Sequence, residues 1–144
     1  MFSKACTYGI RAVIYIATQS LDGKRLKIQD VATYSGSPEA FTAKILGKLN
    51  KAEIINSYKG PHGGFEMDTQ KIQSTKLEEI VYAIDGDSIY NGCALGLSEC
   101  DASDPCPMHN KFFQIREELK DMLGTTTVFE LAFGLKSGKS TLLR

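Results

Sequence analysis

A mainly helical fold with one small β-hairpin is predicted by three observations. Apolar residues recur at helical spacing along most of the 144-residue chain. Two short apolar runs, Ile54–Tyr58 and Phe65–Met67, flank the turn Lys59-Gly60-Pro61-His62-Gly63-Gly64 and read as paired strands. Finally, Cys93, Cys100, Cys106 and His109 crowd into a stretch rich in Gly, Ser, Asp and Pro, which reads as an irregular loop.

The bulk numbers suit a globular protein: 42% apolar and 24% charged residues. The length allows one domain, or a small module with an extension. No apolar run reaches membrane-spanning length, and the first residues lack the basic-then-apolar pattern of a secretion signal. A cytoplasmic location is therefore expected. There cysteines stay reduced, and a cluster of them binds metal or senses redox state more often than it forms structural disulfides.

The elements follow in order. Ser3 can cap a first helix running to about Leu21, with Gly23 as the stop and Ala5, Ala12, Val13, Ile16 and Ala17 as its apolar face. Cys6 lies in that face and reads as an inert core thiol. A short helix carrying Ile28, Val31 and Ala32 leads to a turn at Gly36, where a positive φ is expected. Ser37 as N-cap, Pro38 at the first turn and Glu39 near the positive dipole end then open a second helix. Phe41, Ile45, Leu46 and Leu49 form its buried stripe. After the hairpin, Thr75-Lys76-Leu77-Glu78 is a capping-box pattern opening a helix to about Asp85, ended by Gly86. The cysteine loop follows. Phe112, Ile115, Leu119 and Met122 then mark an apolar seam on a long helix, and Thr127-Val128-Phe129-Glu130 opens a short one through Phe133. The tail from Lys136 is polar and expected to fray.

Two helices joined by a tight turn and followed by a hairpin are, in that order, a winged helix-turn-helix. The expected partner is double-stranded DNA. Pro38, Glu39, Thr42, Ala43, Lys44 and Lys48 lie on the helix expected to enter a major groove, and Lys59, Gly60, Pro61, His62 and Gly63 form the wing. His62 reads as a phosphate contact. Charge agrees with this, because residues 1–64 hold nine Lys/Arg against four Asp/Glu, while the remainder is acidic. A single reading head spans one half-site, so the seam on the last long helix reads as a dimerisation surface. The division expected is a winged-helix unit over 1–85, a cysteine-rich loop over 86–110, and a dimerisation helix with tail over 111–144. Only two histidines are present, in unrelated segments, and no nucleotide loop or nucleophile–base motif occurs, so no enzyme is expected.

Chemistry alone leaves three readings of the cysteine loop. Three thiolates and an imidazole are suited to an iron–sulfur cluster, and equally to a closed tetrahedral zinc site. Without metal, two of the thiols could pair on oxidation. A metal-binding carrier or interaction module without sequence-specific DNA binding is the alternative function.

The chain resembles the IscR/NsrR family of bacterial winged-helix regulators, the Rrf-type family. The resemblance runs from about Met1 to Phe133 and is carried by Tyr8-Gly9-Ile10-Arg11-Ala12, Val31-Ala32-Thr33-Tyr34-Ser35-Gly36, Lys59-Gly60-Pro61-His62-Gly63-Gly64-Phe65 and the three spaced cysteines. It implies a homodimer on palindromic promoter DNA, with Cys93, Cys100 and Cys106 as thiolate ligands of an iron–sulfur cluster, 2Fe-2S favoured over 4Fe-4S. In IscR-like members a histidine three residues after the last cysteine completes the site, and His109 occupies that place. NsrR-like members use an acidic residue in the first helix, where this chain has Tyr8. The departures are Lys59 for the usual wing Arg, His62 for a usual Gly, and Ala43 for an acidic side chain used in reading DNA. The operator sequence is accordingly not carried over.

Overall fold

The computed structural model describes residues 1–144. Eight helices and one hairpin follow in the order α1 (Lys4–Ser20), α2 (Ile28–Ser35), α3 (Glu39–Lys51), β1 (Asn56–Tyr58), β2 (Gly64–Glu66), α4 (Thr69–Ser74), α5 (Leu77–Asp85), α6 (Ser88–Asn91), α7 (His109–Thr125) and α8 (Val128–Lys136). The winged helix-turn-helix expected from the pattern of elements is present.

Helix α1 is the centre of the molecule and packs against α2, α3, α5 and α8. Ser3 caps it by accepting the Cys6 N–H at 3.0 Å, and Ser3 is itself held by the Asp85 carboxylate at the far end of α5. Val13, Ile16 and Ala17 of α1 are fully buried, together with Leu46 and Leu49 of α3 and Ile80 and Val81 of α5. Leu123, Val128 and Ala132, from the last two helices, belong to the same core.

The turn into α3 has Gly36 at φ 67°, where only glycine is unstrained. Ser37, the expected cap of α3, does not fill that role. Pro38 occupies the position, and the Ser37 hydroxyl bonds the Thr42 hydroxyl. The hairpin pairs Asn56 with Glu66, Ser57 with Phe65 and Tyr58 with Gly64, antiparallel. Its strands are shorter than their apolar runs, because Ile54, Ile55 and Met67 turn into the core at its base. Leu26 adds a third, one-residue strand by exchanging both main-chain bonds with Phe65, at 3.0 and 2.7 Å.

The capping box of α5 lies one residue later than expected: the Lys76 N–H donates to Glu79 at 2.7 Å. Thr75 is buried, and its carbonyl instead accepts the Val128 N–H at 2.9 Å, while the Leu77 N–H donates to Thr126 O at 3.0 Å. These two bonds join the start of α5 to the turn between α7 and α8. Helices α4 and α6 add to the expected elements; both are short and lack a long apolar period. The tail does not hang free, since Lys136 pairs with Asp22 and Arg11 Nη2 donates to Leu142 O at 3.4 Å. No helix is long and apolar enough to cross a membrane.

Candidate nucleic-acid interface and cysteine loop

Helix α3 turns Ile45, Leu46 and Leu49 inward and leaves Pro38, Glu39, Ala43, Lys44, Gly47, Lys48 and Lys51 exposed. Lys44, Lys48 and Lys51 follow helical spacing along one outward face. The molecule's two ion pairs, Arg25–Glu66 and Lys136–Asp22, use none of these lysines, nor Lys59 on the wing. Four ammonium groups are thus free to meet phosphates. Glu39 accepts from Gln29 Nε2 at 3.3 Å, which ties the start of α3 to α2.

Thr42 departs from expectation. Its side chain is only 3% exposed, and its hydroxyl bonds Ser37 Oγ and donates to Pro38 O at 3.0 Å. A hydroxyl so placed closes the first turn of α3 and is not presented to base edges. Gly63 is a second correction. It is buried, its N–H donates to Gly60 O at 3.0 Å, and a Cβ there would stand 2.2 Å from Tyr58 O. Its glycine is required by the close approach of hairpin backbone, and its N–H is not available to a phosphate. Lys59, Gly60, Pro61 and His62 are exposed at the tip.

Two cations outside the wing organise it, and neither is among the site residues expected from sequence. Arg25 pairs with Glu66 and lies 3.8 Å from the centroid of the Tyr58 ring. Lys27 reaches the carbonyls of Gly60 and Pro61. The signal available was the basic run Lys24-Arg25-Leu26-Lys27, which otherwise enters only the charge count.

The loop between α6 and α7 carries Cys93, Cys100 and Cys106 as free, half-buried thiols. Hydrogen bonds from the N–H groups of Leu97 and Leu95, with a smaller one from the Cys106 side chain, hold the Cys93 thiol below its ordinary range. Cys100 Sγ lies 3.4 Å from His109 Nδ1 and accepts from Arg116 Nη1 at 3.3 Å. His109 is the first residue of α7, and its N–H donates to Cys106 O at 3.0 Å. Of the four expected ligands, Cys100 and His109 are thus in direct contact. No three His, Cys, Asp or Glu side chains converge on a single ion-sized point. The donors are those an iron–sulfur group needs, and main-chain N–H groups already face the Cys93 sulfur. Arg116 lies outside the set expected from sequence, although it stands seven residues after His109 and hence on the same face of α7.

Cys6 is different in kind. Its burial, with Asp85 adding to the effect, pushes the thiol up to about 12, so it stays protonated and unreactive as expected.

A helix-turn-helix followed by a hairpin, with unpaired cations on both, defines a class: a winged-helix protein. Residues 2–133 match the family model described as "Rrf2: Iron-dependent Transcriptional regulator", and the chain belongs to that family. It is 30% identical over 135 residues to a protein of Aquifex aeolicus (strain VF5) named as an HTH-type transcriptional regulator, covering 91% of this chain and 90% of that one. Among solved structures it is similar to CymR (YrzC), the global cysteine regulator of B. subtilis, with TM-score 0.74, 18% identity, and 92% and 96% of the two chains covered. It is likewise similar to T. potens IscR, with TM-score 0.74, 15% identity, and 99% and 93% covered. These are transcriptional regulators and not enzymes, so the chain is a DNA-binding regulator, and the carrier-module alternative falls away.

Proposed function

We propose that the chain is a cytoplasmic, homodimeric regulator whose grip on promoter DNA is set by an iron–sulfur group in the cysteine loop. The carrying observation is continuity: the loop that holds Cys93, Cys100 and Cys106 runs directly into His109, the first residue of α7, and α7 leaves an apolar face uncovered. On one side of α7, Ile115 is 52% and Met122 47% exposed, which favours a second copy of this helix as their cover. In the dimer each α3 enters a major groove, with Lys44 and Lys48 on phosphates or bases, and Lys59 and His62 bring the wing to the adjacent backbone.

Cys93, Cys100 and Cys106, with His109, would hold the group, which when bound supplies a centre whose redox state or presence can change. A single tetrahedral zinc would take the same four donors, and the iron-dependence in the family's description favours an iron–sulfur group over it. Arg116 and the amides facing Cys93 orient the sulfurs whatever is bound. A metal-free reading has one specific support: the Cys106 side chain is among the groups that hold the Cys93 thiol below its ordinary range.

Anaerobic purification followed by visible spectroscopy and iron and sulfide analysis tests this. Coloured protein with iron and acid-labile sulfide, both lost when Cys93, Cys100 or Cys106 is changed to Ala, is expected. Colourless protein with stoichiometric zinc would overturn it. Holoprotein and stripped protein should differ in promoter affinity by up to about a hundredfold, a coupling of about 3 kcal/mol.

A further inference from the structure

The wing is held from outside by the short connection between α1 and α2. Arg25 Nε donates to Glu66 Oε2 at 3.1 Å and Nη2 to Oε1 at 3.4 Å, a two-pronged contact with the strand beyond the tip. The same guanidinium lies 3.8 Å from the Tyr58 ring centroid, on the strand before the tip, and its Nη1 donates to His62 O at 3.4 Å. Lys27 Nζ donates to Gly60 O at 3.2 Å and to Pro61 O at 3.3 Å. Three consecutive tip carbonyls, at 60, 61 and 62, are therefore covered by cations. Left bare, those oxygens would add partial negative charge to a surface that must approach phosphates.

Lys27 is also the cap residue of α2, where its N–H donates to Asp30 at 2.9 Å. Its side chain thus ties the wing tip to the first helix of the helix-turn-helix. Through the Gly36 turn, that connection relates the wing to α3. We propose that Arg25 and Lys27 are positioning residues for DNA recognition: they fix the attitude of the wing and mask its carbonyls, while Lys59 and the α3 lysines carry the phosphate contacts. Arg25 spends its fork on Glu66 and its plane on Tyr58, two demands that lysine does not meet together. The inference rests on the reading of the wing as a DNA-contacting element.

The test uses the full chain and a duplex selected from a randomised pool on the unmodified protein. Arg25→Lys and Arg25→Gln should each weaken binding about tenfold, since charge without the planar fork does not restore the interaction. Lys27→Met should do the same. For all three, the dependence of log affinity on log salt should keep its slope, whereas Lys59→Gln should reduce the slope by about 0.9 for each phosphate no longer neutralised. In DNA-free protein, amide hydrogen exchange at the tip, at Gly60, His62 and Gly63, should accelerate in the Arg25 and Lys27 variants. Tyr58→Leu, which keeps every charge, serves wherever an Arg25 variant fails to fold, and should show the same pattern.

Full affinity in Arg25→Lys, or a reduced slope in Arg25→Gln or Lys27→Met, would make these residues direct phosphate contacts and overturn the proposal. Unchanged exchange at the tip would overturn it too. If Lys44→Gln and Lys59→Gln leave the slope untouched, the DNA-facing reading itself fails, and the exchange measurement still judges the brace independently.

Discussion

A methyl group added at Gly9 would lie 2.1 Å from Ile84 Cδ1 and 3.3 Å from Ile45 Cγ2, so α1 meets α3 and α5 at this point with no room to spare. Ile84 Cδ1 is the end of a side chain that must turn aside, and the Ile45 methyl must give by a few tenths of an ångström. Gly9→Ala should therefore lower stability by about 1–3 kcal/mol, as overpacking generally does, read by thermal or denaturant unfolding. At Gly63 the obstacle is main chain: the added carbon would meet Tyr58 O at 2.2 Å and the Lys59 carbonyl carbon at 2.7 Å. Gly63→Ala should deform the wing and weaken DNA binding with less effect on the melting of the core. Thr42 shows why some residues are illegible before folding. A short hydroxyl on a helix suits base contact as well as local capping, and only the positions of Ser37 Oγ and Pro38 O decide between them.

At the scale of elements, α8 is the clearest case of capping that can be read directly. Thr127 Oγ1 accepts the Glu130 N–H at 3.1 Å, and Glu130 Oε2 accepts the Thr127 N–H at 2.8 Å. Thr127→Ala should cost about 1 kcal/mol, as N-cap losses do. The Thr127 N–H, then its hydroxyl, hold the Glu130 carboxyl below its ordinary range. Its contribution is complete above the unfolded carboxylate pKa and is lost as pH falls through the folded value; Glu130→Gln should flatten that part of a stability–pH curve. Helix α7 is legible in position but not in orientation. Leu123, outside the predicted seam, is its fully buried residue, whereas Ile115 and Met122 within the seam face outward. Periodicity finds an apolar stripe and cannot tell an intrachain neighbour from a second chain. Leu123→Ala should thus destabilise by about 2–5 kcal/mol. On the proposed dimer, Ile115→Glu should leave the monomer folded and shift the mass measured by light scattering from dimer to monomer. Leu26 escapes notice for another reason, because a strand of one residue has no period at all.

For the molecule as a whole, the basic first half and the acidic second half share one core. Leu123, Val128 and Ala132 complete the same apolar cluster as α1 and α5, so the two halves are packed together even though their charges segregate. The two main-chain bonds that join Thr75 and Leu77 to Val128 and Thr126 have a mechanical consequence. They rivet one end of α7 to the body that bears α3, while the opposite end, at His109, emerges from the sulfur-bearing bend. The helix is a beam clamped at its far end. On the function proposed above, a change among the thiols would reach the operator as a swing about that fulcrum, and severing the rivet would uncouple the two.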